Sequence, residues 1–320
     1  MQHDSRFPRK QVAVLDDYQH AALASADWTP VQQRADVSVF SDHPESEDAL
    51  IERLKPFDAI CVMRERTPLT AERLARLPNL KLIASTGPAN ASIDSAAAAA
   101  HGIVVRHTSG RGNGALELTW ALILASARNL LGESASVRSG GWQTSVGSDL
   151  EGRTLGVMGL GRIGSRLAQV GKAFGMRVIA WSPNLTEERA QASGVAYVDK
   201  ARLLRESDWL SLHLVLSDRT RGIVGAEDLA IMKPGAWLVN TSRGALVDEG
   251  ALIEALERRS IAGAALDVFD TEPLPPEHAF RRLANVIATP HVGFVTQDNY
   301  RVFFEQTIES LVEFLDGNSR

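Results

Sequence analysis

The chain has 320 residues, 44% of them hydrophobic and 23% charged, with a formal net charge of −5. That length exceeds one ordinary core and predicts two domains, and the mild acidity with scattered Lys and Arg argues against nucleic acid or an anionic membrane surface as partner. The single cysteine, Cys61, excludes an internal disulfide and fits a reducing compartment.

The first residues, MQHDSRFPRKQ, carry positive charge but lead into no apolar segment, so no secretory signal is expected. No stretch reaches the roughly 18 apolar residues of a membrane span. The expectation is a soluble, cytoplasmic protein. Short apolar runs then follow: QVAVLDD, DVSVFSD, DAICVMR, LKLIAST and GIVVRHT. Each reads as a buried strand, and the lengths between them suit crossover helices. Cys61 lies within one such strand and reads as a small core residue. In IDSAAAAAHGI, Asp94 or Ser95 caps a short helix that Gly102 ends.

Residues 114–131, GALELTWALILASARNLL, predict a helix that is apolar nearly all round, suited to burial between domains or between subunits. The Ser/Gly-rich segment after it, which contains Trp142, reads as a loop or as an arm reaching a partner subunit. A second set of strands follows: LGVMGLG, MRVIAWS, WLSLHLV, AWLVNTS, AALDVFD and NVIATPH. Strands alternating with helices define an α/β protein with mostly parallel sheets. The chain closes on NYRVFFEQTIESLVEFLDGNSR, one amphipathic helix, and no appended regulatory domain is expected.

The strand TLGVMGLG runs into a helix through Gly159-x-Gly161-Arg162-Ile163-Gly164. The first glycine permits a tight turn, the second lets backbone approach a pyrophosphate, and the third lets the helix lie close to the sheet. With a strand before it, a helix after it and MRVIAWS completing the βαβ unit, the pattern predicts a dinucleotide site. At the end of that second strand, an acid would normally bind the adenine ribose. Here the chain reads Ala180-Trp181-Ser182-Pro183-Asn184. Ser182 suits either a hydroxyl or a 2′-phosphate, and the nearest arginine is Arg189, so the cofactor is NAD or NADP. His213, ending WLSLHLV, is expected to line the adenosine pocket.

Three further residues follow three strands: Arg243 after AWLVNTS, Glu272 after AALDVFD and His291 after VIATP. Ligands of open parallel sheets bind at the carboxyl ends of strands. Arginine offers a fork for a carboxylate and polarises a carbonyl. Histidine gives or takes the proton of a C–OH/C=O pair, and a carboxylate beside it favours its charged form and fixes the ring. Together with a hydride carrier they suit reversible oxidation of a 2-hydroxy acid. His101, His107 and His278 read as loop or helix-end residues, and no histidine spacing suits a metal.

GLGRIG, HLVLSDRTRGIVG, MKPGAWLVNTSRGALVDEGALIEAL, GAALDVFDTEPLP and NVIATPHVG together make the chain resemble the D-isomer-specific 2-hydroxyacid dehydrogenase family over nearly its whole length. The resemblance implies a Rossmann-type NAD(P)-binding domain over residues 108–293. It implies a discontinuous, flavodoxin-like substrate-binding domain of residues 1–107 and 294–320, with the site in the cleft between them. It assigns Arg243 to binding and polarising a 2-oxo acid, His291 to proton donation and Glu272 to supporting the histidine. Asp267 would hold the nicotinamide carboxamide and Thr119 would touch the cofactor. The loop Ser85-Thr86-Gly87-Pro88 would present N–H groups to the substrate carboxylate, with Arg64 facing the same cleft, and the long helix with its arm would form a homodimer. Two residues depart from the family pattern: Ser182 replaces an aspartate, and Val215 stands where proline is common. Glu272 argues against formate oxidation, whose enzymes carry glutamine there, whereas phosphite-oxidising relatives share all three residues. The alternative from another class is a nicotinamide-sensing, corepressor-like binding protein of the same fold.

Overall fold

The computed structural model describes residues 9–317. Residues 1–8, which carry most of the secretory-signal reading, and residues 318–320, at the end of the last helical pattern, lie outside the described residues. Two compact units divide the chain, Met1–Arg111 with Val295–Arg320 and Gly112–Phe294.

In the first unit, β1 (Lys10–Val14), β2 (Ala35–Val39), β3 (Ala59–Val62), β4 (Leu82–Ser85) and β5 (Val104–His107) form a parallel sheet in the order β2-β1-β3-β4-β5. This is the flavodoxin-like order, which reverses direction between β1 and β3. Strands β3 and β4 are buried throughout, hence their unbroken apolar sequences. Cys61 is in that core, where burial pushes its thiol up to about 12 and leaves it inert. Asp94 supplies the cap of the helix Ser95–Ala100, accepting from the Ala97 N–H. The last helix, Gln297–Leu315, starts at the Thr296 cap and buries Phe303, Phe304, Ile308 and Leu311. His107, expected in a loop or at a helix end, is instead the last residue of β5.

In the second unit, β6 (Thr154–Met158), β7 (Arg177–Trp181), β8 (Ala196–Tyr197), β9 (Trp209–Leu212), β10 (Trp237–Asn240), β11 (Gly263–Leu266) and β12 (Val286–Ala288) form a parallel sheet in the order β12-β11-β10-β9-β6-β7-β8. This is the doubly wound Rossmann order with one strand added beyond β11. The two faces are covered by different cores, and alternate residues serve each: Leu155 and Val157 face one, Met158 the other; Leu238 and Val239 divide likewise. Strand β8 was not foreseen, because its two exposed residues offer no apolar pattern. The helix expected over residues 114–131 ends at Ala127. Asn129 turns left-handed at φ 47°, and a second helix, Leu130–Arg138, occupies the start of the expected loop. Asparagine tolerates that conformation, and the Glu133, Ala135 and Arg138 beyond it are good helix formers.

Candidate active site

The glycines of the turn after β6 answer to three different demands. Gly159 has φ +107°, and a Cβ there would collide with the carbonyl of His213. A Cβ on Gly164 would collide with the carbonyl of Gly159, so the helix Arg162–Ala173 packs only with glycine at that position. Gly161 is exposed, has an ordinary φ of −84°, and among the described residues a Cβ on it would meet nothing within 4 Å. Its glycine fits the close approach of a ligand to the backbone. As the N-cap residue it has no side chain to offer, so the first N–H groups of the helix, those of Arg162, Ile163 and Gly164, keep their affinity for an anion. This turn fits the pyrophosphate of a dinucleotide.

Strands β10, β11 and β12 are neighbours, so the three residues expected at their ends lie along one edge of the sheet. His291 Nδ1 and Glu272 Oε2 are 2.6 Å apart. The other Glu272 oxygen accepts from the Phe269 N–H at 2.9 Å, so the carboxylate is held by its own loop. Glu249 braces that loop from behind, accepting from the Asp270 N–H and pairing with His278 at 3.0 Å. His291 itself is left-handed, with φ 53°, a conformation uncommon for side-chain-bearing residues that concentrates at functional positions. Arg243 follows β10, where Asn240 ties the turn together by donating to the Arg243 carbonyl at 2.8 Å.

Asp267 is 1% exposed and accepts from Thr289 Oγ1 (2.6 Å), the Val292 N–H (2.8 Å) and the Gly293 N–H (2.8 Å). Its acceptor sites are directed largely at the turn that carries His291. Burial raises its pKa, opposed by these hydrogen bonds and by His291. Thr119 is fully buried; its hydroxyl donates to the Ala115 carbonyl and meets the Thr241 hydroxyl at 2.7 Å, two residues before Arg243. Sequence reasoning missed Thr241, Thr289, Glu249 and His278, since each acts across strands and none belongs to a motif that names its partner.

His213, just beyond β9, contacts the Ser211 hydroxyl through Nε2 at 2.8 Å. Desolvation brings its pKa down to about 4, so the ring is neutral at pH 7. In the first unit Arg64 has φ 54° and its guanidinium lies over Gly87, whose own φ of +88° favours glycine. The expected N–H donors of the Ser85–Pro88 loop are engaged within the protein: Thr86 donates to the Val62 carbonyl (3.1 Å) and Gly87 to Thr108 Oγ1 (2.7 Å). Pro88 has no N–H, so this loop does not present donors in the way expected.

Fold and phosphate-binding turn together define a dinucleotide-binding protein. Residues 120–293 match the family model described as D-isomer specific 2-hydroxyacid dehydrogenase, NAD binding domain. The glyoxylate reductase of Aeropyrum pernix is 40% identical over 294 residues, covering 88% of this chain and 87% of that protein. The D-3-phosphoglycerate dehydrogenase of Methanocaldococcus jannaschii is 38% identical over 85% of this chain but only 52% of its own length. The crystal structure of a phosphoglycerate oxidoreductase from Vibrio cholerae O395 superposes with a TM-score of 0.90 at 41% identity, covering 96% of this chain and 99% of that one. The chain belongs to the D-isomer specific 2-hydroxyacid dehydrogenase family, and it is an enzyme that moves a hydride between a nicotinamide dinucleotide and a 2-hydroxy or 2-oxo acid.

Proposed function

We propose that the enzyme works as a reductase of small 2-oxo acids, with His291 as the acid that protonates the new hydroxyl. The observation that carries this reading is the 2.6 Å contact of His291 with Glu272, on strand ends adjacent to that of Arg243. With Nδ1 engaged by the carboxylate, Nε2 is the nitrogen left for the substrate oxygen. A bound dihydronicotinamide supplies the hydride to C2. Arg243 holds the substrate carboxylate and polarises the neighbouring carbonyl, which draws negative charge onto oxygen as the proton arrives. Glu272 fixes the orientation of the ring. In the oxidative direction the same histidine accepts the proton.

The coenzyme is assigned to Gly159, Gly161, Arg162, Ile163 and Gly164 at the pyrophosphate, and to Ser182 and His213 at the adenosine. Asp267 serves at the nicotinamide; Thr119 acts by backing Thr241. In the first unit Arg64 is the candidate substrate contact by its side chain; Thr86 and Gly87 beside it shape the loop, the Thr86 hydroxyl and both N–H groups being engaged within the protein. A small acid such as glyoxylate is supported by the glyoxylate reductase likeness, which extends along nearly the full length of both chains.

A homodimer is supported by the apolar side chains that the second unit leaves in solvent on one stretch: Leu130, Leu131, Val137, Trp142 (74% exposed) and Val146. Among the described residues no helix is long and apolar enough to cross a membrane. The use of a single, unpaired cysteine supports a cytoplasmic location.

The test is loss of reduced-nicotinamide absorbance with glyoxylate, hydroxypyruvate and bulkier 2-oxo acids, each run with NADH and NADPH. Turnover that falls by about 10²- to 10⁴-fold in His291→Ala is the expected result. Turnover undiminished by that substitution overturns the assignment of the acid.

A further inference from the structure

The choice between NADH and NADPH is made where the adenine ribose meets the end of β7, and the second unit brings unexpected charge to that place. The strand ends at Trp181, and Ser182-Pro183-Asn184 follows without a carboxylate. Glu187 and Glu188 come next, but both belong to the first turn of the helix Glu187–Ala192. There Glu187 accepts from Gln191, and Glu188 is held below its usual range by backbone and Thr186 hydrogen bonds. Two arginines converge on Asn184 instead. Arg189 Nη1 donates to its carbonyl at 3.3 Å. Arg219, from the turn after β9, reaches its side-chain oxygen with Nη2 at 3.5 Å. Both are exposed, and among the described residues neither guanidinium makes an ion pair.

Their position follows from the topology. Strand β6 lies between β7 and β9, so the turn after β7 and the turn after β9 flank the phosphate-binding glycines on either side. Gly159 is tied to both, donating to the Trp181 carbonyl at 2.9 Å and packing on the backbone of His213. A ribose attached to a pyrophosphate on Gly161 would therefore lie beside Ser182 and Asn184, with its 2′ position toward the two arginines. Asn184 gives the two arginines only neutral acceptors at 3.3 and 3.5 Å, so both charges are free to bind an anion placed beside that turn.

We infer that Arg189 and Arg219, with Ser182, form a clamp for the 2′-phosphate, and that the enzyme prefers NADPH. This rests on the dehydrogenase reading for its physiological meaning, but the binding claim stands apart from turnover. A phosphate held by one charge-assisted hydrogen bond from each arginine gains about 10- to 100-fold per contact.

The experiment uses two fragments that need no substrate, 2′,5′-ADP and 5′-AMP, titrated calorimetrically against the full chain at low salt. It is paired with kcat/KM for NADPH and NADH on glyoxylate. Expected are at least tenfold tighter binding of 2′,5′-ADP and a loss of about tenfold in the NADPH-to-NADH ratio for each of Arg189→Ala and Arg219→Ala. Ser182→Asp, which sets a carboxylate against the 2′-phosphate, should invert the ratio. Equal binding of the two fragments, or equal losses with both coenzymes, overturns the clamp even if the enzyme turns over well. Tight 2′,5′-ADP binding without turnover on any 2-oxo acid sustains the clamp and counts against the reductase reading alone.

Discussion

The proposed acid, His291, is held on two sides: its ring meets Glu272, and the N–H groups of Val292 and Gly293 just after it donate to Asp267. His291→Ala should lower kcat by about 10²- to 10⁴-fold, the range for a positioned acid, measured as steady-state reduction of the best 2-oxo acid. Asp267→Asn tests the turn separately. An amide can accept on one side only, so one of the N–H groups of Val292 and Gly293 would face another donor. We expect a loss of about 1–3 kcal/mol, the cost of an unsatisfied buried polar group, read from urea unfolding, together with reduced turnover. His213 gives the pH prediction. Its pKa falls from the ordinary 6.5 of a solvated histidine to about 4 in the fold. Between those values the unfolded chain binds a proton that the folded chain does not. Its contribution is therefore complete above pH 6.5 and is lost as pH falls toward 4. Urea midpoints at about pH 7, 5.5 and 4.5 should fall less steeply in His213→Gln than in the parent; parallel slopes would remove His213 from the account.

At the scale of elements, one turn separates folding from binding. Gly164→Ala forces a methyl into the Gly159 carbonyl and should destabilise the second unit by about 1–3 kcal/mol, as overpacking does. Gly161→Ala meets open space; its stability should stay within about 1 kcal/mol, the usual scale of cap changes, while coenzyme affinity falls at least tenfold. Thermal melts with and without coenzyme distinguish the two, and a Gly161→Ala protein that binds coenzyme normally would contradict a pyrophosphate at that residue. The same comparison shows what a glycine motif can and cannot say. The pattern Gly-x-Gly-x-x-Gly was legible because its spacing lies within one short turn between a strand and a helix, although the carbonyl that restricts Gly159 belongs to His213. The break at Asn129 was not, because an uninterrupted apolar stretch reads as one helix whether or not a single residue turns left-handed.

For the whole molecule, the stretch from Leu130 to Val146 exposes five large apolar side chains, the surface on which the proposed dimer rests. Light scattering after gel filtration should give twice the 34.7 kDa chain mass. Trp142→Ala combined with Leu130→Asp should shift the mass toward that of one chain. A parent protein that runs as a monomer would leave the arm without the partner argued for it.

The amino-acid sequence by itself pointed to two α/β units, to the dinucleotide turn, and to Arg243, Glu272 and His291 as residues following neighbouring strands, because strand runs, glycine spacing and residues at strand ends are all local signals. It could not tell which donors Asp267 serves, that the Thr86 and Gly87 N–H groups are already engaged, or that Arg219 reaches Asn184 across 35 positions. Those are decided by strand order. The sheet places β7, β6 and β9 side by side, and β10, β11 and β12 likewise, so hydrogen bonds and charges meet between residues whose separation along the chain carries no trace of their contact.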